Sequence, residues 1–109
     1  MTVTYKVLGQ ANPSANTPVT LYTSTSTFGT VISTLAICNV GNTATTFNAA
    51  VRIGGASTST QQYFAYNTPL PANDTISMTI GITMAITDVL TVSSTSSFVA
   101  FNLFGSEIS

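Results

Sequence analysis

The chain has 109 residues, of which two are cationic and three are carboxylates, and it contains no histidine and no tryptophan. Because most enzyme chemistry near neutral pH needs a side chain that titrates there, this composition argues against an enzyme. With a net charge of −1 it also argues against a nucleic-acid partner, since phosphate binding depends on many Lys and Arg side chains.

The apolar content predicts one folded domain spanning residues 1–109. Hydrophobic residues make up 44% of the chain, and the mean hydropathy is +0.41, whereas disordered segments combine low hydrophobicity with high net charge. No segment reaches the roughly 18 apolar residues that a membrane helix needs. The first residues also lack the basic and apolar regions of a signal peptide. We therefore expect no membrane partner and no secretory export.

Alternation of apolar and polar side chains, the period of a half-buried β-strand, recurs along the whole chain. It predicts strands at residues 3–9, 19–23, 30–40, 45–53, 61–66, 76–87, 89–93 and 97–108. Gly81 interrupts the longest alternating run, so we expect a bend or bulge there. No segment has a helical period. About eight strands predict an all-β fold, an antiparallel β-sandwich of the immunoglobulin-like or jelly-roll type.

Most predicted strands have one polar face, but two have apolar side chains on both faces. The strand at residues 45–53 is of the first kind, with an apolar set of Phe47, Ala49, Val51 and Ile53. Residues 30–40 place Val31, Leu35 and Ile37 on one face and Ile32, Ala36, Cys38 and Val40 on the other. The last strand places Phe98, Ala100 and Phe104 opposite Val99, Phe101 and Leu103. If the strand at residues 30–40 and the final strand at residues 97–108 are neighbours, their outer faces form an apolar patch that needs a cover.

The cover that we predict for this patch is another protein subunit, and a loop folded over the sheet is the alternative. The candidate interface residues are Ala36, Cys38, Phe98, Ala100 and Phe104. The scarcity of charge favours a subunit, because soluble domains usually carry about a quarter charged residues, which resist association. Cys38 is the only cysteine, so no internal disulfide is possible, and its apolar neighbours predict a small buried side chain.

The three carboxylates do not form a pattern typical of a catalytic or metal site. Asp74 and Asp88 lie at predicted strand ends, where an aspartate closes a turn; a hydrolase pair and a calcium site are the alternatives. Glu107 could pair with Lys6 or Arg52. Serine is abundant, but no histidine is present to activate it. We expect no catalytic residue, no metal and no cofactor.

Four tyrosines could form a platform that stacks against sugars. They are Tyr5, Tyr22, Tyr63 and Tyr66. Tyrosine in a strand is more often ordinary sheet packing, and the absence of tryptophan weakens the interpretation. A carbohydrate-binding module is therefore an alternative function.

Several segments together resemble small virion proteins of tailed bacteriophages. They are ICNVGNTATTF (37–47), AVR (50–52), ANDT (72–75) and FNLFGSEI (101–108), and VLGQ (7–10) and LYT (21–23) fit the same resemblance. The resemblance extends across nearly the whole chain. The Asn-x-Gly turn ahead of a Phe-bearing strand is also similar to immunoglobulin-like sandwich modules.

The resemblance implies a non-enzymatic structural role, with many copies on each particle. We expect a capsid decoration or cement protein whose partners are the major capsid protein and copies of itself, as a homotrimer. The alternatives are a tail, baseplate or fibre accessory protein and a carbohydrate-binding adhesin module. Such a protein would be assembled in the cytoplasm of the bacterial host and would remain in the virion.

Overall fold

The computed structural model describes all 109 residues, and strands are its main regular elements. They are β1 (Val3–Ala11), β2 (Val19–Thr23), β3 (Thr30–Asn39), β4 (Thr45–Arg52), β5 (Tyr63–Leu70), β6 (Thr75–Met84), β7 (Val89–Ser94) and β8 (Val99–Ile108). Two single-turn 3₁₀ helices, Ile53–Gly55 and Thr60–Gln62, lie between β4 and β5. The eight predicted strands are confirmed, with bounds that differ by a few residues.

The strands form two antiparallel four-stranded sheets packed face to face. Sheet I has the order β1-β8-β3-β6, and sheet II has the order β2-β7-β4-β5. Only β4 and β5 are neighbours both along the chain and within a sheet, so every other connection crosses between the sheets. The predicted β-sandwich is confirmed. Its strand order is the double Greek key of a jelly roll, one of the two sandwich types that the sequence left open.

The hydrophobic core lies between the inner faces of the two sheets. In sheet I, β3 lies beside β8, with Ile37 opposite Phe101 and Leu35 opposite Leu103, and all four side chains are fully buried. Phe101 meets Phe47 of sheet II edge to face, with ring centroids 6.3 Å apart. The alternation predicted for the last strand is therefore confirmed, and its other face points away from the core.

A bulge in β3 changes the predicted faces of that strand. The register of β3 against both of its neighbours shifts between Ile32 and Thr34. An extra residue in a strand moves the following side chains to the opposite face. Ile32 therefore lies in the core with Leu35, and Val31 lies on the outer face. The prediction that grouped Ile32 with the outer residues was wrong for this reason.

Two strands end earlier than their alternation indicates. β6 ends at Met84, because the next residues form a turn that is closed by the bond from the Asp88 amide to the Ala85 carbonyl at 3.1 Å. Thr87 has a positive φ of 76° in this turn, and Ile86 is left exposed. Ile53 lies exposed in a 3₁₀ turn beyond β4, so the prediction that it continues the apolar face of that strand was wrong. The predicted irregularity at Gly81 is confirmed by its φ of 59° at a register shift against β3.

A buried asparagine fastens two turns together at one end of the sandwich. Asn39 has 1% of its surface exposed. Its Nδ2 donates to the carbonyl oxygens of Thr43, Pro71 and Leu70 at 2.9, 3.2 and 3.5 Å, and its Oδ1 accepts from the Gly41 amide at 2.9 Å. The single side chain thus connects the β3–β4 turn to the β5–β6 turn.

A buried carboxylate performs a similar task at the other end. Asp88 accepts a hydrogen bond from the Ala85 amide at 3.0 Å, which closes the β6–β7 turn as predicted. Its second oxygen accepts from the Gly54 amide at 2.8 Å and holds the turn after β4. The Asp74 carboxylate, by contrast, is exposed and accepts a hydrogen bond only from the amide of Thr75, its neighbour. Both aspartates have structural partners in turns.

Replacing Asp88 with alanine should destabilise the fold much more than the same change at Asp74. Asp88→Ala leaves two amides without their acceptor, and we expect a loss of about 2–4 kcal/mol in the free energy of unfolding. Asp74→Ala removes one exposed bond and should cost less than about 1 kcal/mol. Urea denaturation measures both values. Equal losses for the two variants would contradict the role assigned to Asp88.

Candidate docking surface

The five predicted interface residues share one surface, the outer face of sheet I. The register pairs Cys38 with Ala100 and Thr34 with Phe104, and Ala36 lies opposite Asn102. The alternation places Phe98, in the turn before β8, on the same side as Ala100. The two strands with apolar outer faces are thus neighbours, as the predicted patch requires. No loop of this chain covers Phe98 or Phe104, which are exposed.

The predicted residues differ in how much surface they offer. Ala36, Cys38 and Ala100 are small and half-buried, so they project little from the sheet and contribute little accessible area. Phe98 and Phe104 are the exposed members, at 59% and 36%. The prediction that Cys38 is buried was wrong: its side chain is half-buried, because the alternation of β3 places it on the outer face of sheet I and not in the core. The exposed apolar area therefore concentrates near the two phenylalanines.

The larger cluster of exposed apolar side chains, which we call the β1 patch, consists of Val3, Tyr5, Val7 and Phe104. All four side chains are exposed, Tyr5 most of all at 83%. Val7 lies directly opposite Phe104 in the register of β1 and β8. The sequence prediction missed the three β1 residues, although their spacing of two residues is a signal that could have identified them. They extend the predicted surface to the edge of the sheet.

The smaller cluster of exposed apolar side chains, which we call the turn patch, consists of Val40 and Phe98 at the end of the sheet. The Val40 amide donates to the Phe98 carbonyl at 2.9 Å, so the two residues lie side by side. Both are more than half exposed. The Phe98 side chain also lies against Gly41, where an added Cβ atom would come within 3.0 Å of the Phe98 Cβ and 3.3 Å of its ring. Glycine at this position lets the ring pack on the backbone.

An uncharged polar strip separates the two patches. Gln10 donates to Asn102 at 2.8 Å across β1 and β8, and Ser77 of β6 lies beside Ala36 in the same row. No strand residue on the outer face of sheet I is charged. Lys6 alternates onto the opposite side of β1 from its neighbours in the β1 patch. The face thus offers apolar contacts and neutral hydrogen-bonding groups.

The charge of Lys6 is paired with a carboxylate of the same chain. Its Nζ lies 2.9 Å from Glu107 Oε1, and Tyr22 donates to Glu107 Oε2 at 2.6 Å. The Tyr22 oxygen also lies 2.8 Å from the Thr30 hydroxyl, which lies 2.9 Å from that of Ser24. The hydrogen bond from Tyr22 and then Lys6 lower the pKa of Glu107, while burial and then the bond to Glu107 raise the pKa of Tyr22. Of the two predicted partners of Glu107, Lys6 is the one observed.

The two shifts predict how stability depends on pH. Glu107 has a lowered pKa, so its contribution is present above its unfolded value and is lost as the pH falls through the folded value. Tyr22 has a raised pKa, so its contribution is present below about pH 10 and is lost as the pH rises through the folded value. Tyr22→Phe should lower the free energy of unfolding by about 1–3 kcal/mol at neutral pH. It should also reduce the loss of stability at low pH and at high pH. Thermal unfolding across pH, with Tyr66→Phe as the control, tests this; matching profiles for the two variants would contradict it.

The remaining titratable groups do not assemble into a reactive site. No group of three or more His, Cys, Asp or Glu side chains could hold a metal ion. Asp74 and Asp88 are held in separate turns. Arg52 makes no ion pair, and its buried Nε has no hydrogen-bond partner. None of the helical turns is long and apolar enough to cross a membrane.

The four tyrosines do not form one platform. Tyr22 is buried between the sheets, and Tyr5 belongs to the β1 patch of sheet I. Tyr63 and Tyr66 alone come together, on the edge strand β5 of sheet II, with ring centroids 4.9 Å apart. The predicted platform is therefore reduced to a pair, which lies on a different sheet from the docking surface.

Comparison with protein-family models, with curated proteins and with solved structures finds no match to this chain. The observations that bear on function are thus those of the molecule itself. They are the jelly-roll strand order, the uncharged outer face of sheet I with its two apolar patches, and the tyrosine pair on β5.

Proposed function

We propose that this chain is a structural protein of a bacteriophage virion that docks onto the capsid as a decoration or cement protein. The observation that carries the proposal is the outer face of sheet I, where two exposed apolar patches flank an uncharged polar strip. The jelly roll is compatible with this role because it occurs in viral capsid domains, although a fold alone does not decide function. The resemblance to small phage virion proteins supplies the proposed partner, the major capsid protein.

The dimensions of the molecule suit this mode of binding. Its two longest extents are 45 and 27 Å, so a sheet face can supply the roughly 800 Å² per partner that a stable interface buries. Burial of apolar surface contributes roughly 25 cal/mol per Å² before the costs of association. Docking across the boundary between capsid subunits would hold them together against internal pressure. The chain would then act mechanically, without chemistry.

We further propose that copies of the chain associate as homotrimers on three-fold positions of the shell. A protein with so few charges has little electrostatic repulsion to keep its copies apart. Light scattering would measure a mass of three times the 11.3 kDa chain. A monomer at high concentration would contradict the trimer, while docking of single copies would remain testable on particles.

Binding to the shell should depend little on salt. Charged side chains are absent from the outer face of sheet I, and screening weakens only interactions between charges. We expect the affinity for stripped heads to change by less than about threefold between about 0.1 and 1 M NaCl. Co-sedimentation with heads measures the affinity. A steep loss of binding with added salt would contradict apolar docking.

Deletion of the gene from the phage that encodes this chain tests the proposal. Heads without the protein should assemble but release their DNA at a lower temperature than wild-type heads, and added purified protein should restore the original temperature. Mass spectrometry of wild-type virions should detect many copies per particle. Heads of unchanged stability combined with defective adsorption to the host would instead favour a tail, baseplate or fibre role.

A further inference from the structure

We infer a second binding site, for a neutral carbohydrate, in a depression beside β5. Two tyrosines of that strand, Tyr63 and Tyr66, line it together with Thr58, Ser59 and Thr60 of the preceding turn. The depression has a volume of about 580 Å³, within the roughly 300–1,000 Å³ of typical ligand sites. It lies on sheet II, so the inference goes beyond the docking role of sheet I and does not depend on it.

The tyrosine pair provides the apolar part of this site. The rings of Tyr63 and Tyr66 meet at 71°, edge to face, with their centroids 4.9 Å apart. Tyr66 is 64% exposed, so its aromatic ring does not serve to fill the core. The edge-to-face arrangement leaves ring surface open to a ligand. The C–H face of a sugar ring packs on such a surface, while its hydroxyls remain free to make hydrogen bonds.

The turn that completes the depression is held in place by its own hydrogen bonds. Ser59 and Gln62 hold the 3₁₀ turn together: the Ser59 amide donates to Gln62 Oε1 at 2.9 Å, and the Gln62 amide donates to the Ser59 carbonyl at 3.1 Å. Gln62 Nε2 also donates to the Ser57 carbonyl at 2.9 Å. A site that is ordered before binding pays less conformational entropy when its ligand arrives. The turn therefore presents its hydroxyls in a fixed arrangement.

The polar groups of the depression select the chemical class of ligand. All five lining side chains bear a hydroxyl, and none is charged. The hydroxyls of Thr58, Thr60, Tyr63 and Tyr66 make no hydrogen bond to another group of the protein, so they are available to donate and accept. Binding of phosphates or carboxylates relies on Arg or Lys, which this lining lacks. An uncharged molecule with an apolar face and many hydroxyls, a neutral saccharide, matches these properties.

NMR titration of the isotope-labelled protein tests the site directly. The probes are neutral oligosaccharides of glucose, galactose and N-acetylglucosamine. At least one should shift the signals of residues 58–66 in a saturable manner. Tyr66→Ala should weaken binding by about tenfold or more, the factor that corresponds to about 1.4 kcal/mol, and Tyr66→Phe should retain part of it. Tyr5→Ala is the matched control, because Tyr5 is also exposed but lies on sheet I.

Three results would overturn the inference. The first is the absence of saturable shifts with any of the three saccharide types. The second is binding that Tyr5→Ala weakens as much as Tyr66→Ala does. The third is binding that is unchanged by Thr60→Val and Tyr66→Ala when both variants retain the wild-type spectrum. None of these results bears on docking through sheet I, because binding of the same variants to stripped heads is measured separately.

Discussion

Asn39→Asp is expected to lower the free energy of unfolding by about 3–5 kcal/mol, the range for an uncompensated buried charge. The side chain has almost no exposed surface, and its amide nitrogen donates to the carbonyls of Thr43, Pro71 and Leu70. A carboxylate of the same shape would face these oxygens with a negative charge and no proton to donate. Only the bond from the Gly41 amide would remain. The two turns joined by this residue should separate.

The pH dependence of this variant adds a second test. A protonated carboxyl group can donate one hydrogen bond to the facing carbonyls, so burial should raise the pKa of the introduced Asp above its unfolded value. Stability is then retained below the unfolded value and lost as the pH rises, so the defect should shrink near about pH 4. Asn42→Asp, at an exposed position nearby, is the control. A defect at Asn39 no larger than the control's would contradict the role of this residue.

Val7→Lys should reduce the affinity for stripped heads by about 100-fold or more while leaving the fold intact. Val7 lies in the β1 patch opposite Phe104, and docking would bury the new ammonium group without an acidic partner on this face. Such burial costs about 3 kcal/mol or more, which corresponds to that factor. In the free protein the side chain lies exposed on an edge strand, where lysine is well tolerated. The free energy of unfolding should change by less than about 0.5 kcal/mol.

Thr20→Lys is the matched control for this variant. It adds the same charge at an exposed position of an edge strand, but on sheet II. Its affinity for stripped heads should equal that of the wild type. If both lysine variants bind normally, or if Thr20→Lys binds as weakly as Val7→Lys, the outer face of sheet I is not the docking surface. Co-sedimentation at several protein concentrations measures all three affinities.

The strand pattern was predictable because each strand has one face in the core. The even-numbered apolar residues of β6, such as Ile76 and Met78, point inward while Ser77 and Thr79 are exposed. Period two is a local property that needs no knowledge of the neighbouring strands. The strand order, by contrast, follows from pairings between distant segments, such as β1 with β8. The jelly roll was therefore only one of two possibilities until the sheets were known.

Local backbone irregularities explain the errors. The bulge that returns Ile32 to the core requires an extra residue in β3, and no glycine or proline in that strand marks it. Ile53 continues the alternation of β4 in sequence, yet the positive φ of Gly54 ends the extended conformation there. Alternation alone cannot detect a backbone that leaves the strand. Both errors changed which apolar side chains reach the core.

The candidate surface was predictable in part. All five predicted residues were identified because their two strands are apolar on both faces, and the structure pairs those strands, β3 and β8, side by side. The larger apolar contribution of β1 was missed, because an edge strand with one apolar set resembles any half-buried strand. Whether that set faces the core depends on the bulge of β1 near Leu8, after which the inward positions change parity. Sequence spacing alone does not determine that outcome.

A cryo-EM reconstruction of the decorated head at side-chain resolution tests the central proposal most directly. We expect density for the jelly roll on the outside of the shell, with Tyr5, Val7 and Phe104 of sheet I buried against capsid subunits and the tyrosine pair of β5 facing solvent. Density that places this chain on the tail, or that leaves the outer face of sheet I open to solvent while sheet II contacts the shell, would contradict the proposal.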